Sequence, residues 1–135
     1  MTTSRAARDE GSISLGLVVM VVAVMVAIGL VIDGGAKIRA VEQATRVAAE
    51  AARAGAQEVD VTAVQTAGAT ALDPARARTA ARAVLEAAGV QGEVHATQTR
   101  VTVDATVSRS TVFLGMIGVN SVTGHGSADA GLTIR

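Results

Sequence analysis

Two histidines are the residues of this sequence best suited to bind a metal ion or to exchange a proton near neutral pH. His95 and His125 each fall on the outward side of a segment with alternating polarity. The chain has no Cys, and neither histidine has a carboxylate beside it at the spacing of a ligand set. We therefore interpret both histidines as exposed strand residues and predict no metal site.

Paired carboxylates are the next candidates, because two of them in different environments can divide the roles of acid and base. Most carboxylates in the body of the chain fall on solvated faces by periodicity. They are Glu42, Glu50, Glu58, Asp60, Glu86, Glu93, Asp104 and Asp129. No G-x-S-x-G elbow, phosphate-binding loop or dinucleotide fingerprint occurs. The sequence predicts a protein that is not an enzyme, with no catalytic residue and no cofactor.

Composition excludes a further class of partner. The chain has 135 residues, with 12 basic and 12 acidic residues, a net charge of zero and a single aromatic residue, Phe113. Nucleic-acid-binding surfaces are typically basic and often present aromatic rings to the bases. We therefore expect no nucleic-acid partner, and we expect a shallow core of Ala, Val, Leu and Ile with Phe113 as its main anchor.

The elements that hold the chain in place begin with an apolar segment. No charged residue occurs in 11–32, and about 20 apolar residues in a helix span the hydrocarbon core of a bilayer. Arg5 and Arg8 precede this segment, which favours a cytoplasmic N-terminus by the positive-inside rule. The predicted organisation is a cytoplasmic leader (1–10), a transmembrane helix (11–32) and an extracytoplasmic domain (33–135).

A cleaved signal peptide is the competing interpretation, since Gly34 and Ala36 could be the small residues before a cut. It would leave a secreted soluble protein that starts near Lys37. The apolar segment is longer than the 7–15 residues that are usual for a signal peptide, which favours the membrane anchor.

One helical stripe continues past the membrane segment, so we predict a single helix over about 12–58. Its members lie within about 40° of one direction at 100° per residue. They are Gly16, Met20, Ala23, Ala27, Leu30, Gly34, Ile38, Val41, Thr45, Ala48, Ala52, Ala56 and Val59. Small residues let membrane helices approach closely, so Gly16, Ala23, Ala27 and Gly34 form a candidate helix-packing stripe. In the aqueous half, the stripe is expected to pack on the chain's own domain.

The opposite flank of this helix carries charges of both signs. Glu42, Arg46 and Glu50 follow at spacings of four residues and Arg53 at three, which predicts a ladder of ion pairs along the helix.

The C-terminal half changes from helical to strand periodicity. Residues 60–73 read as a loop, and Asp73-Pro74 starts a second, short helix that Gly89 ends. Three alternating segments follow, at 93–98, 100–108 and 121–135. Their inward sides carry Val94, Ala96, Val101, Val103, Ala105, Val107, Val122, Gly124, Gly126, Ala128, Ala130, Leu132 and Ile134. The predicted fold is α+β, with a small three-stranded antiparallel sheet whose last strand has glycines that allow another backbone to approach closely.

Three stretches together carry a family resemblance. The first is Glu10-Gly11-Ser12-Ile13-Ser14, which leads into the apolar helix, and the second is Val31-Ile32-Asp33-Gly34-Gly35 with the Ala-rich run after it. The third is the alternating tail, with Thr111-Val112-Phe113-Leu114-Gly115-Met116-Ile117-Gly118 between its strands. These stretches resemble the TadE/TadG-like pilin-related proteins of tight adherence (Tad, Flp-type) pilus systems, in particular their Ala-rich actinobacterial forms.

The resemblance implies a membrane-inserted minor pilin or pseudopilin with a pilin-like fold. It also implies a candidate processing site, with a prepilin peptidase cutting between Gly11 and Ser12. Major pilins of this group carry a glutamate at the fifth position after the cut, where this chain has Gly16. The departure favours a minor, initiating or membrane-resident subunit over the bulk filament subunit.

The expected function is therefore that of a non-enzymatic, single-pass membrane subunit of a Tad-type pilus or secretion assembly. Its expected partners are the lipid bilayer, other pilin-like or Tad assembly subunits along the N-terminal helix, and a prepilin peptidase. The alternative is a membrane-tethered extracytoplasmic binding or adaptor module that never enters a filament. In the assembly subunit the N-terminal helix itself contacts partner subunits, whereas in the tethered module it serves only as an anchor.

Overall fold

The computed structural model describes residues 6–68 and 70–132, and it describes side chains throughout these ranges except for 6–13 and residue 67. In this part of the chain, three α-helices and a three-stranded sheet form an α+β fold, as predicted. The helices are α1 (Ala6–Ala56), α2 (Val61–Ala67) and α3 (Pro74–Ala87), and the strands are β1 (Gln91–Ala96), β2 (Arg100–Ser110) and β3 (Ser121–Gly131).

Helix α1 is continuous over 51 residues and passes through Gly34 and Gly35 without interruption. At 1.5 Å per residue it is about 75 Å long. Among residues 14–32 of this helix only Gly29 is buried, and the other side chains are exposed. Its C-terminal part packs on the sheet and on α3. One helix thus joins a bare apolar segment to a folded domain.

The face that α1 buries in the domain differs from the predicted stripe. The buried residues of its C-terminal half are Ala40, Ala44, Val47, Ala48, Ala51, Ala52 and Gly55. Ala48 and Ala52 belong to the predicted stripe and are buried as predicted, whereas Ile38, Val41 and Thr45, which the stripe also placed inward, are exposed. At 100° per residue, the buried face lies roughly a quarter turn from the predicted one. The direction of the stripe was wrong because it continued the direction of the membrane segment, whereas the domain packs on a neighbouring face that is mostly Ala.

Glycines in β3 explain that choice. A Cβ atom on Gly124 would overlap the backbone of Ala40 and Val41, and one on Gly126 would overlap the backbone of Thr45. The strand therefore contacts the helix backbone directly, which confirms the close approach predicted for these glycines. The small side chains of Ala40 and Ala44 on the facing side of the helix fit such a short distance.

Between α1 and α3 the structure corrects a second prediction, because 61–67 forms the short helix α2 and not a loop. The Asp60 side chain accepts hydrogen bonds from the N–H groups of Thr62 and Ala63 at 2.9 and 3.1 Å. Gly68 ends the helix with a φ of 63°, which is the left-handed conformation that glycine favours.

Helix α3 starts and ends as the sequence predicted. The Asp73 side chain accepts from the N–H groups of Ala75 and Arg76 at 2.9 and 3.2 Å, and Pro74 occupies the first helical position. Gly89 has a φ of 64° just after the last turn. Ala77, Ala81 and Leu85 face the core, and Arg76 forms an ion pair of 3.2 Å with Glu58 near the end of α1.

The sheet is antiparallel with the order β1-β2-β3. The predicted inward residues of β2 are all buried: Val101, Val103, Ala105 and Val107. In β3 the predicted outward residues are exposed from Ser121 to Asp129, and Ile134 lies outside the described residues. The first strand begins at Gln91, two residues earlier than predicted, and it buries Val94. The period-two pattern therefore identified the sheet and its buried face.

Candidate functional site

The loop between β2 and β3 is the part of the domain that meets the apolar segment. β3 runs along α1 in the same direction as the helix, since Gly124 contacts Ala40 and Gly126 contacts Thr45. β2 is antiparallel to β3 and therefore runs back toward the N-terminal end of α1. The loop at 111–120 lies at this end of the sheet, and it contains a 3-10 helix, Leu114–Ile117.

Asp33 holds this loop on α1. Its carboxylate accepts three backbone hydrogen bonds, from the N–H of Val112 at 2.9 Å, of Phe113 at 3.0 Å and of Leu114 at 2.7 Å. These groups precede or open the 3-10 helix and lack partners within it, so the carboxylate acts as a cap supplied by a distant part of the chain. We call this arrangement the Asp33 clamp.

Asp33 is only 2 % exposed, and its carboxylate accepts the three hydrogen bonds just described. The N–H groups of Val112, Leu114 and Phe113 stabilise the charged form and lower the pKa of Asp33, against the opposing effect of burial. A buried carboxylate without such donors would be unfavourable. The clamp therefore works as a charged acceptor at neutral pH.

A second contact of the loop with α1 lies one helical turn N-terminal to Asp33. The ring of Phe113 packs on α1 at Gly29, where an added Cβ atom would overlap the Phe113 side chain. Phe113 is half-buried there and is not part of the domain's core, which consists of Ala, Val and Leu side chains. The prediction that Phe113 anchors the core was wrong, because its loop extends beyond the sheet and reaches the apolar segment of α1.

The loop is also closed on itself. The N–H of Thr111 donates to the carbonyl of Asn120 at 3.1 Å, and the Thr111 hydroxyl donates to the carbonyl of Val119. Between these ends, Val112, Met116 and Ile117 are exposed. The arrangement is a rigid, apolar tip held beside the end of the apolar segment, and its chemistry is that of a contact surface.

The predicted helix-packing stripe lies on the free part of α1. Gly16, Ala23 and Ala27 are exposed, as is Gly34 at the edge of the domain. Apart from chain neighbours and the helix's own backbone, none of the described atoms lies within 4 Å of a Cβ built on Gly16 or Gly34. In the described part of the chain the four stripe residues are therefore left exposed. The candidate processing site, Gly11-Ser12, lies within the described backbone of α1.

The other residues singled out from the sequence do not converge. His95 and His125 are exposed on β1 and β3, which lie on opposite sides of β2. His95 lies 3.8 Å from Glu93, a neighbour that the sequence reasoning overlooked, and His125 shares a hydrogen bond of 3.1 Å with Thr106. Within 6–68 and 70–132 no three His, Asp or Glu side chains group as metal ligands do.

The predicted charge ladder is exposed on α1 but forms no ion pairs. Glu42, Arg46, Glu50 and Arg53 all face solvent, and none of the ion pairs among the described side chains joins them. Exposed pairs of this kind contribute little to stability, so the correction changes little in the fold.

A comparison with protein-family models matches residues 11–58, which cover nearly all of α1. The matching model is described as "Putative Flp pilus-assembly TadE/G-like". Residues 11–58 are therefore similar to TadE/G-like pilus-assembly proteins, which confirms the resemblance drawn from the sequence for this segment, and the match does not extend to residues 59–135. Neither curated proteins nor solved structures produced a match.

The TadE/G-like match includes two residues that the sequence reasoning missed as site residues, Gly29 and Asp33. A signal was present for Asp33, since it is the only acidic residue in 11–41 and directly follows the apolar segment. Gly29 carried no comparable signal, because its role depends on Phe113, which lies outside the matched region. Among the described residues, α1 is also the one helix long and apolar enough to cross a membrane.

Proposed function

We propose that this chain is a non-enzymatic, single-pass membrane subunit of a Tad-type pilus or secretion assembly, in the role of a minor pilin or pseudopilin. In this proposal residues 11–32 span the membrane, the N-terminus is cytoplasmic, and residues 33–135 form an extracytoplasmic domain. The TadE/G-like match of α1 supports membership of the assembly.

The single observation that carries the proposal is the division of α1. Its residues 14–32 expose Leu, Val, Ile and Met on all sides, whereas its residues from Ala40 onward bury an Ala face in the domain. A helix that is apolar all round requires an apolar environment such as a bilayer. One continuous helix thus carries an exposed apolar segment at its N-terminal end and packs on the domain at its C-terminal end.

The N-terminal sequence and intact mass of the protein from membranes of its native host test this proposal. A start at Ser12 is expected if a prepilin peptidase processes the chain, and it would establish a pilin-like subunit. A start at or near Met1 would instead indicate a permanent anchor. A start near Lys37 would remove the anchor and contradict the proposed function.

Contacts between subunits are proposed to use the stripe of Gly16, Ala23, Ala27 and Gly34. Replacing Ala23 and Ala27 together with Leu would separate the helices that pack there, since small residues permit the close approach. Co-purification of other pilus components from native membranes is expected to be lost. Val24→Leu is the matched control, since this exposed residue lies outside the stripe. Unchanged co-purification in the double variant would exclude packing along this stripe.

The tethered-module alternative is separated by exchanging the membrane helix. Residues 14–27 can be replaced by an unrelated apolar helix of equal length, which leaves Gly29, Asp33 and the domain intact. An assembly subunit is expected to lose its partners and its function in pilus assembly. A tethered binding module would retain its function, because only the outer domain would then matter.

A further inference from the structure

We propose that the loop at 111–120 is a second membrane contact, which lies in the outer boundary of the lipid bilayer beside the last turn of the membrane helix. This inference rests on the proposed function, since it requires that residues 11–32 span a membrane. It adds an interaction surface on the outer domain and commits to one occupant of that surface, the lipid of the adjoining leaflet.

The first observation is the position along the α1 axis at which the loop contacts the helix. Phe113 packs on Gly29, and the Asp33 clamp holds the next turn. Gly29 stands three residues before the end of the uncharged segment at Ile32, which is about 5 Å along the helix axis. The loop therefore lies level with the outer end of the apolar segment, where hydrocarbon meets the headgroups.

The second observation is the chemistry of the loop. No charged residue occurs in 110–124, whereas Arg109 precedes this stretch. Met116 is 84 % exposed, Ile117 is 77 % exposed and Val112 is 67 % exposed. Large apolar side chains that are exposed together usually mark a contact surface. Leu30, Val31 and Ile32 of the membrane segment are exposed as well, and the contacts of the loop with Gly29 and Asp33 hold it against this same part of α1.

The third observation is that hydrogen bonds within the chain hold the backbone of the apolar loop. The three N–H groups that enter the 3-10 helix are satisfied by Asp33, and Thr111 bonds to Val119 and Asn120 across the base of the loop. A loop whose backbone groups have internal partners can enter an apolar environment at a lower cost than an open one. The clamp thus lowers the cost of placing the loop backbone in contact with lipid.

Depth-dependent fluorescence quenching in vesicles tests the proposal. The chain has no Cys, so single-Cys variants can carry an environment-sensitive dye at chosen positions. The full-length protein is reconstituted in vesicles of phosphatidylcholine and phosphatidylglycerol, with a nitroxide quencher placed shallow or deep in the acyl chains. Met116→Cys reports on the loop, Val24→Cys on the membrane helix, and Ser127→Cys on the exposed face of β3.

We expect the dye at residue 116 to be quenched by the shallow nitroxide several-fold more than by the deep one. The dye at residue 24 should be quenched by the deep nitroxide, and the dye at residue 127 by aqueous iodide alone. Quenching at residue 24 without lipid quenching at residue 116 would overturn the loop proposal and leave the proposed function intact.

Two further results would also overturn the inference. Protection of residue 116 from both lipid nitroxide and iodide would show that a protein surface, such as a second copy, covers the loop. Absence of lipid quenching at residue 24 would show that α1 does not span the bilayer, and the proposed function would fail together with the inference. The paired positions therefore separate failure of the loop contact from failure of the anchor.

Discussion

The carboxylate of Asp33 accepts a hydrogen bond of 2.7 Å from the N–H of Leu114, although the two residues stand 81 positions apart in the chain. The bond joins the residue that directly follows the apolar segment to the loop that connects β2 and β3. Together with the bonds from Val112 and Phe113, it fixes the position of this loop on α1.

Asp33→Asn is expected to loosen the loop while the rest of the domain stays folded. The amide has nearly the same shape, but its nitrogen cannot accept the N–H groups that an Asp33 oxygen accepts. Hydrogen exchange of the Val112, Phe113 and Leu114 amides, measured in detergent micelles, should accelerate on the order of tenfold or more. Glu42→Gln is the matched control, since it removes an exposed carboxylate from the same helix. Equal exchange in both variants would show that the clamp does not hold the loop.

The clamp should also depend on pH in a predictable direction. Because the three N–H donors lower the pKa of Asp33, the stability that the carboxylate contributes is present above the ordinary aspartate value of about 4. It is lost as the pH falls below that value and through the lower pKa of the folded state. The amide chemical shift of Leu114 should be constant from about pH 5 to 8 and change below about pH 4. In the Asp33→Asn protein this transition should be absent, and its persistence would assign it to another group.

Gly29→Ala should displace Phe113 from α1. The added Cβ would overlap the Cβ and ring of Phe113, which are close to the backbone and cannot move aside without moving the loop. Overpacking of this kind costs about 1–3 kcal/mol, which should appear as faster exchange of the loop amides. Gly16→Ala provides the control on the same helix, because nothing lies within 4 Å of its added methyl group. A loop that is equally protected in both variants would contradict the Phe113–Gly29 contact.

Gly126→Val is expected to destabilise the whole domain. A side chain at this position would overlap the Thr45 backbone and separate β3 from α1 along their shared face. We expect a loss of about 3 kcal/mol or more in the free energy of unfolding, measured by denaturant titration in micelles. Ser127→Val introduces the same side chain at the next, outward position of the strand and should change this free energy by less than about 1 kcal/mol. Similar losses in the two variants would mean that the strand does not approach the helix so closely.

Much of this architecture follows from local pattern. The uncharged segment 11–32 is long enough to predict a membrane helix, and Asp73-Pro74 with Gly89 predicts the limits of α3. Alternation in β2 identifies the buried residues Val101 and Val103 because successive strand side chains point to opposite faces. In each case, the physical cause acts over a few neighbouring residues.

Other features depend on pairs of elements that are distant in the chain. The rotation of α1 was predicted wrongly, since periodicity cannot tell which of several Ala-rich faces the glycines of β3 will meet. Helix α2 was missed because its formation depends on a single cap at Asp60 and a turn at Gly68 within a segment of mixed composition. The stripe and the processing site at Gly11 remain predictions of the sequence alone.

Local chemistry thus accounts for the elements of this protein: a long apolar helix that becomes Ala-rich, a capped helix and three alternating strands. Folding settles which face of the long helix is covered and which loop reaches the apolar segment. Asp33 gains its hydrogen-bond donors only when the sheet places residues 112–114 beside it. Phe113 gains its packing contact only when the same loop reaches Gly29. Hydrogen bonds and close packing require atoms within a few ångströms, and for residues 80 positions apart only the tertiary fold supplies that distance.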